Sequence, residues 1–367
     1  MVNGNPAFSI CIITKNEEKK LENCLAAIES FIDLQKDAEL VVVDTGSTDK
    51  SVEVAKRHGA KVFHFEWIGD FAAAKNFACE KASCDRIFLL DTDEYLEAFS
   101  NEDIEKVFSG GEGNIGLFLR KNHFVTDGQG RIANEWVPRI FSRKLYHYEG
   151  RVHEQLVGAN GSSDDAPRIK TAIVADHDGY MLSPDDIRKK ADRNIELLIK
   201  ENESLQKKQA SDNERAYVLY QLGKGYYYKG DYKAAADYFD EGLSYDLNEK
   251  LDYVADMVVS YGYALINSGR EQEALKLEGV FDTFSYDADY LFVMGLIYMK
   301  NARFDEAISS FTKATERPEC RVEGTNGHLA LHNIGVYLSA PAGKMRRRSI
   351  IAGAVKKINH KGCCFEG

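Results

Sequence analysis

Two carboxylates one residue apart, Asp91 and Asp93 in Leu89-Leu90-Asp91-Thr92-Asp93-Glu94, are the residues best able to act on one point. In an extended chain residues i and i+2 face the same side, and hard oxygen ligands so placed suit Mg2+ or Mn2+ carrying a diphosphate. The same pair could instead cap the helix or turn that follows. Glu154 stands in Tyr148-Glu149-Gly150-Arg151-Val152-His153-Glu154-Gln155, where ionisable side chains crowd behind a glycine bend. It has the chemistry of a general base, or of a surface partner for Arg151. Asp44, at the end of an apolar run, could accept from a nucleobase N–H or a ribose hydroxyl, whereas Ser47, Thr48 and Asp49 read as helix N-cap residues. His177, between Asp176 and Asp178, could bind a divalent ion or be a satisfied structural histidine. Lys75 could meet a phosphate or face water, and Arg139 and Arg143 could contact a diphosphate or be strand-edge charges.

The elements that must position these residues alternate. Phe8–Ile13 reads as a strand, Thr14-Lys15-Asn16-Glu17 as a polar loop, and Leu21 to Phe31 as a helix. Leu40–Val43 and Lys61–Phe65 repeat the pattern, with a helix closing near His58-Gly59 and a small-residue helix opening at Asp70. Arg86–Leu90 is apolar enough to be buried on both faces, as in a parallel sheet. Asp44 and Asp91 therefore stand at C-terminal strand ends, where open α/β sheets bind ligands. The first loop lacks the glycines of a dinucleotide fingerprint or phosphate-binding loop, which demotes a dehydrogenase or kinase. Ile115–Phe124 and Asn134–Phe141 flank a turn-rich stretch and read as a hairpin. Gly158–Pro167 reads as a loop, a lid or an insertion, and Thr171–Ala175 as a further strand.

Phe8–Glu17, Val41–Asp49, Asp70–Asn76 and Leu89–Asp93, in this order and spacing, resemble the nucleotide-sugar domain of family 2 glycosyltransferases. The resemblance is greatest to a bacterial subgroup of lipopolysaccharide-core glycosyltransferases and sublancin-type peptide S-glycosyltransferases. It implies the GT-A (Rossmann-like) fold, a UDP-sugar donor and Mn2+ or Mg2+. Mapped here, it implies that Asp44 contacts uracil or ribose with Thr14, Asn16 and Glu17 near the same end, and that Lys75 holds base or diphosphate. Asp91 would approach ribose and metal, Asp93 would ligate the metal, His177 would complete its site, and Glu154 would be the base.

From Ser183-Pro184 the pattern is helical. Gly230-Asp231-Tyr232-Lys233-Ala234-Ala235 recurs as Gly269-Arg270-Glu271-Gln272-Glu273-Ala274 and Ala302-Arg303-Phe304-Asp305-Glu306-Ala307, a tetratricopeptide period. Gly223, Ala264 and Gly295 upstream would let paired helices approach. Such repeats stack into a solenoid that commonly holds a peptide or another subunit. The predicted organisation is an α/β domain over 1–182, a linker helix over 183–210, an all-α repeat array over 211–340, and a basic, poorly packed tail over 341–367.

The chain of 367 residues is 44% hydrophobic with formal net charge -11, which argues against a general nucleic-acid binder. Seven cysteines without a C-x-x-C pair indicate neither a disulfide framework nor a zinc site, so a reducing cytoplasm is expected. No apolar run is long enough to span a membrane. The reading is an inverting, metal-dependent transferase moving a hexose or N-acetylhexosamine from a UDP-sugar to a peptide, protein or glycan, with the repeats presenting the acceptor or mediating self-association. The alternative is a non-catalytic adaptor with a nucleotide-sugar-sensing domain. A nucleotidyltransferase is disfavoured by the absence of a basic, glycine-rich first loop.

Overall fold

The β-branched runs near the N-terminus form the central strands of one eight-stranded sheet. The structure is a computed structural model that describes residues 6–34, 36–126, 129–159, 166–177 and 184–339. The basic tail, residues 160–165 of the loop predicted over Gly158–Pro167, and Asp178 lie outside them. β1 (Phe8–Thr14), β2 (Ala38–Asp44), β3 (Lys61–His64) and β4 (Arg86–Asp91) pair in parallel in the order β3-β2-β1-β4. Every residue of β2 is buried, which is why its centre, Leu40 to Val43, is a continuous apolar run instead of an alternating one. Helices α1 (Glu18–Glu29), α2 (Ser51–Arg57) and α3 (Phe71–Lys81) make the crossovers.

Beyond β4 the sheet changes direction. β5 (Glu94–Ala98), β6 (Ile115–Thr126), β7 (Gln129–Ser142) and β10 (Arg168–His177) extend it as β4-β7-β6-β10-β5. β4–β7, β6–β7 and β10–β5 are antiparallel, and β6–β10 is parallel. The hairpin read from Ile115–Phe141 is the β6–β7 pair, and α4 (Asn101–Ser109) packs beside it. β8 (Tyr146–Glu149) and β9 (Gln155–Gly158) form a separate two-stranded ribbon. This is the α/β, GT-A-like mixed sheet expected, and among the described residues the elements that follow it are helices.

The chain divides into two compact units, Met1–Leu247 and Asn248–Gly367. The first holds the sheet together with α5 (Pro184–Lys208), α6 (Asp212–Lys229) and α7 (Tyr232–Leu243). α6 and α7 are the first repeat pair. A Cβ on Gly223 would lie 2.4 Å from the Phe239 ring, so only glycine admits this approach. In the second unit, α8 (Asp252–Asn267) is followed by only a short α9 (Glu271–Ala274), a 3-10 segment (Leu275–Val280) and α10 (Phe281–Phe284). The second repeat thus lacks the continuous second helix its sequence predicts. Gly279, with weak helix propensity, sits inside the broken stretch. α11 (Ala288–Lys300) and α12 (Phe304–Thr315) restore the pair, with Gly295 against Phe311 as Gly223 is against Phe239, and α13 (His328–Ser339) packs on α12.

Candidate active site

The ends of β1 and β2 are knitted to each other. Asn16 (φ 54°) receives the Thr48 amide on its side-chain oxygen at 2.7 Å. The amides of Asn16, Glu17 and Glu18 donate to Ser47 Oγ, Ser51 Oγ and Asp49 Oδ2 at 2.9, 3.0 and 3.1 Å. Asp49, expected to cap the helix after β2, does so, its Oδ1 accepting the Ser51 amide at 3.0 Å, and its other carboxylate oxygen also takes the Glu18 amide that opens α1, whereas Ser47 turns to the β1 loop. The reason is tertiary, because parallel pairing puts the two loops side by side. Asp44 is turned into its own loop. It accepts from the amides of Gly46 and Ser47 at 3.2 and 3.0 Å and meets His64 Nδ1 at 3.2 Å. Burial opposes its charge, but these donors outweigh burial and hold the carboxyl below its ordinary range. Thr14 Oγ1 is buried with no hydrogen-bond partner among the described residues.

The second edge is built around Asp91. β4 ends there, Thr92 and Asp93 form a turn, and Glu94 begins β5. Asp93 is therefore not the extension of the strand that an i, i+2 reading assumes. The chain must reverse because β5 belongs at the far side of the sheet, paired with β10. The bend is closed by Glu94, fully buried, whose carboxylate accepts the Asp91 amide at 2.9 Å. Asp91 is gripped by Lys75 Nζ at 2.9 Å and by Arg139 Nη2. Arg139 also reaches Glu94 at 3.5 Å, and Arg120 joins Glu94 at 3.0 Å to Glu135 at 2.7 Å. Burial would raise Asp91, but Arg139 and then Lys75 overcome it and hold the carboxyl far below the usual range. A buried guanidinium of this kind is tolerable only with such partners.

Asp93 and His177 form an adjoining pair, with Asp93 Oδ2 3.5 Å from His177 Nε2. The other ring nitrogen, Nδ1, lies 2.7 Å from Asn122 Oδ1, and the Asn122 amide nitrogen donates to Glu135 at 3.1 Å. Since that oxygen only accepts, Nδ1 carries a proton and Nε2 faces Asp93 either protonated or with a lone pair. Burial raises Asp93, yet the hydrogen bond and charge of His177 prevail and bring it to about 2. Asp93 and His177 are the residues that could hold a divalent cation, and the Asn122 hydrogen bond fixes the orientation of the imidazole. Among the described residues no group of three or more His, Cys, Asp or Glu could hold an ion unaided.

Glu154 completes the assembly. Its ion-pair partner is Lys75, not the neighbouring Arg151, so one ammonium bridges Asp91 and Glu154. Lys75 is 3% exposed, which removes it from the solvent-facing reading. Small neighbours Ala72, Ala74 and Ala78 bring α3 close to the sheet, and Asp70 caps it by accepting the Ala73 amide at 2.9 Å. Asn76, next along α3, exchanges hydrogen bonds of 2.8 Å with the backbone of Tyr148 and so ties α3 to the ribbon that leads to Glu154. His153 is in the left-handed region at φ 54°, and burial lowers it to about 4.

Residues 9–151 match the model of Glycosyl transferase family 2, and residues 288–319 match a tetratricopeptide repeat. The chain carries a family 2 glycosyltransferase domain. Its relatives include a TPR repeat-containing protein of Synechococcus elongatus, 29% identical over 64% of this chain and 56% of that protein. An uncharacterized glycosyltransferase of Rickettsia bellii is 37% identical over 37% of this chain and 42% of its own length. The SPbeta prophage-derived glycosyltransferase SunS of Bacillus subtilis is 24% identical over 52% of this chain and 44% of its own. The chain thus spans about half the length of these relatives. Among solved structures, S. aureus TarS 1-349 in complex with UDP-GlcNAc aligns over 84% of this chain and 92% of that one, at 16% identity and TM-score 0.37.

The structure brings Lys75 and Asp91, inside the matched residues, together with Glu154 just beyond them, and joins Asp93 to His177. Asp44, Asn16 and Glu17 stay in the neighbouring loop pair. Arg143 is not part of the cluster, since it caps α3 by donating to the carbonyls of Cys79 and Glu80 at 3.0 and 3.1 Å. Arg139 is part of it. Glu94, Arg120 and Asn122 went unread in the sequence. Glu94 had a signal in its place directly after Asp93, whereas Arg120 and Asn122 sit in an imperfectly alternating strand that gives no hint of inward charges.

Proposed function

We propose that the chain is an inverting glycosyltransferase that moves a hexose or N-acetylhexosamine from a UDP-sugar to a peptide, protein or glycan acceptor. The observation that carries this reading is the convergence of Glu154, Lys75, Asp91, Asp93 and His177 at the C-terminal edge of the parallel strands of a family 2 domain. Glu154 takes the proton of the acceptor nucleophile as it attacks the anomeric carbon from the face opposite the diphosphate. The bond from that carbon to the phosphate oxygen breaks, and its electron pair leaves with UDP. Mn2+ or Mg2+ held by Asp93 and His177 would supply positive charge to the departing diphosphate. Lys75 keeps Asp91 and Glu154 in fixed relation. The strand-end loops carrying Thr14, Asn16, Glu17 and Asp44 would receive the nucleoside, the unpartnered Thr14 hydroxyl being available to a ribose or base.

Nucleotide release from a panel of UDP-sugars, with Mn2+ or Mg2+ and with EDTA, tests this. Release from one sugar that EDTA abolishes is the expected result. Binding of no UDP-sugar in the presence of metal would sink the reading.

A further inference from the structure

The segment that carries Glu154 does not hold its own shape. Between β8 and β9 it contains two residues with positive φ, Gly150 at 97° and His153 at 54°, the second of which is not glycine. Such backbone persists only where its surroundings over-determine it. Most of those surroundings come from the helices after the sheet, all within the first compact unit. The Arg151 amide donates to Glu201 of α5 at 3.0 Å, and its carbonyl accepts the Phe71 amide at the start of α3 at 2.9 Å. Val152 is buried in an apolar cluster with Ile195 and Leu198 of α5 and Val218, Leu219 and Leu222 of α6. The Tyr217 hydroxyl of α6 donates to the His153 carbonyl at 3.4 Å and accepts from the Gln155 side-chain amide, so it grips the chain on both sides of Glu154.

We propose that α5 and α6, the linker helix and the first repeat helix, are part of the catalytic site, and that Tyr217 is a positioning residue for Glu154. The proposal rests on the reading of Glu154 as the base. Four consecutive residues, Gly150 to His153, lead to the carboxylate. Two of the donors and acceptors that fix them, on Tyr217 and Glu201, and the pocket that anchors Val152 belong to the helices. Loss of either polar contact lets the loop relax out of its left-handed turn and moves Glu154 away from Lys75 while β1, β2 and β4, where the donor would sit, are untouched.

Tyr217→Phe removes one hydroxyl and keeps the ring, so folding is preserved. In the full chain it is expected to lower kcat about 10- to 100-fold, as a displaced catalytic group does, while donor KM and UDP affinity hold. Glu201→Ala should do the same and Glu201→Gln should largely restore kcat, since the amide oxygen still accepts from Arg151. Amide hydrogen exchange supplies a readout that needs no turnover: residues 150–156 should exchange faster in Tyr217→Phe, and 88–94 should not. Unchanged exchange and unchanged kcat would overturn the proposal, as would loss of UDP binding in step with kcat. Absence of transfer by the unaltered chain would instead sink the glycosyltransferase reading, and the exchange experiment would still decide the positioning role.

Discussion

Asp44 and Asp91 end the strands β2 and β4 that flank β1 in the parallel part of the sheet, and their sequences look alike, an apolar run closed by aspartate. Their fates differ. Asp44 is satisfied within three residues by the amides of Gly46 and Ser47, with His64 beside it. Asp91 receives nothing from its own loop; it is held by Lys75 from α3 and Arg139 from β7. A carboxylate neutralised by local backbone shapes a loop. One neutralised by distant side chains ties elements together, and its removal is felt wherever those elements go.

The largest effect that would sharpen this contrast is at the far end of the Lys75 bridge. Glu154→Gln should lower kcat by about 10²- to 10⁴-fold with little change in UDP affinity, the range for loss of a general base. A variant turning over within a few-fold of the original would remove the mechanism as stated.

Arg139→Met comes next. It leaves Asp91 and the fully buried Glu94 short of a cation, and a broken buried pair costs about 3–5 kcal/mol. Urea unfolding should show that loss. A shift no larger than that of a surface arginine would mean the network is decorative.

His153, beside the base, gives a pH signature on the same side of the comparison. Burial lowers it to about 4 from an ordinary value of 6.5. The unfolded chain therefore binds this proton first, and stability should fall as pH drops from 6.5 toward 4. His153→Gln should flatten that part of a stability-against-pH curve, and an unaltered slope would show that the imidazole is not held neutral.

The smallest effect belongs to Asp44. Asp44→Ala removes a local acceptor of cap type, worth about 1 kcal/mol. It should raise donor KM through a loosened loop more than it lowers kcat. An effect on kcat as large as that of Glu154→Gln would erase the distinction drawn here.

Much of this was legible because it is periodic or local. Continuous apolar runs announced the parallel strands, and the Gly-Asp-Tyr-Lys-Ala-Ala pattern announced paired helices, because burial on two faces or one stripe imposes those spacings on any chain. Asp91, Asp93, Glu154 and His177 could be singled out as candidates by type and position at element ends. Local patterns misled where neighbours in space intervened: Ser47 accepts from the Asn16 amide of the β1 loop instead of capping α2, and the second repeat breaks over Leu275–Val280.

What the tertiary structure alone decided is who partners whom. Sequence spacing says nothing about Lys75 standing between Asp91 and Glu154, 79 residues from the latter, or about Arg139 reaching Asp91 across 48 residues. Nor does it show Tyr217 of a repeat helix closing on the loop that holds the base. The physical reason is that charge pairing and burial act through space, so the chain order fixes which side chains exist and which local shapes they favour, while only the folded sheet and its flanking helices fix which charges meet.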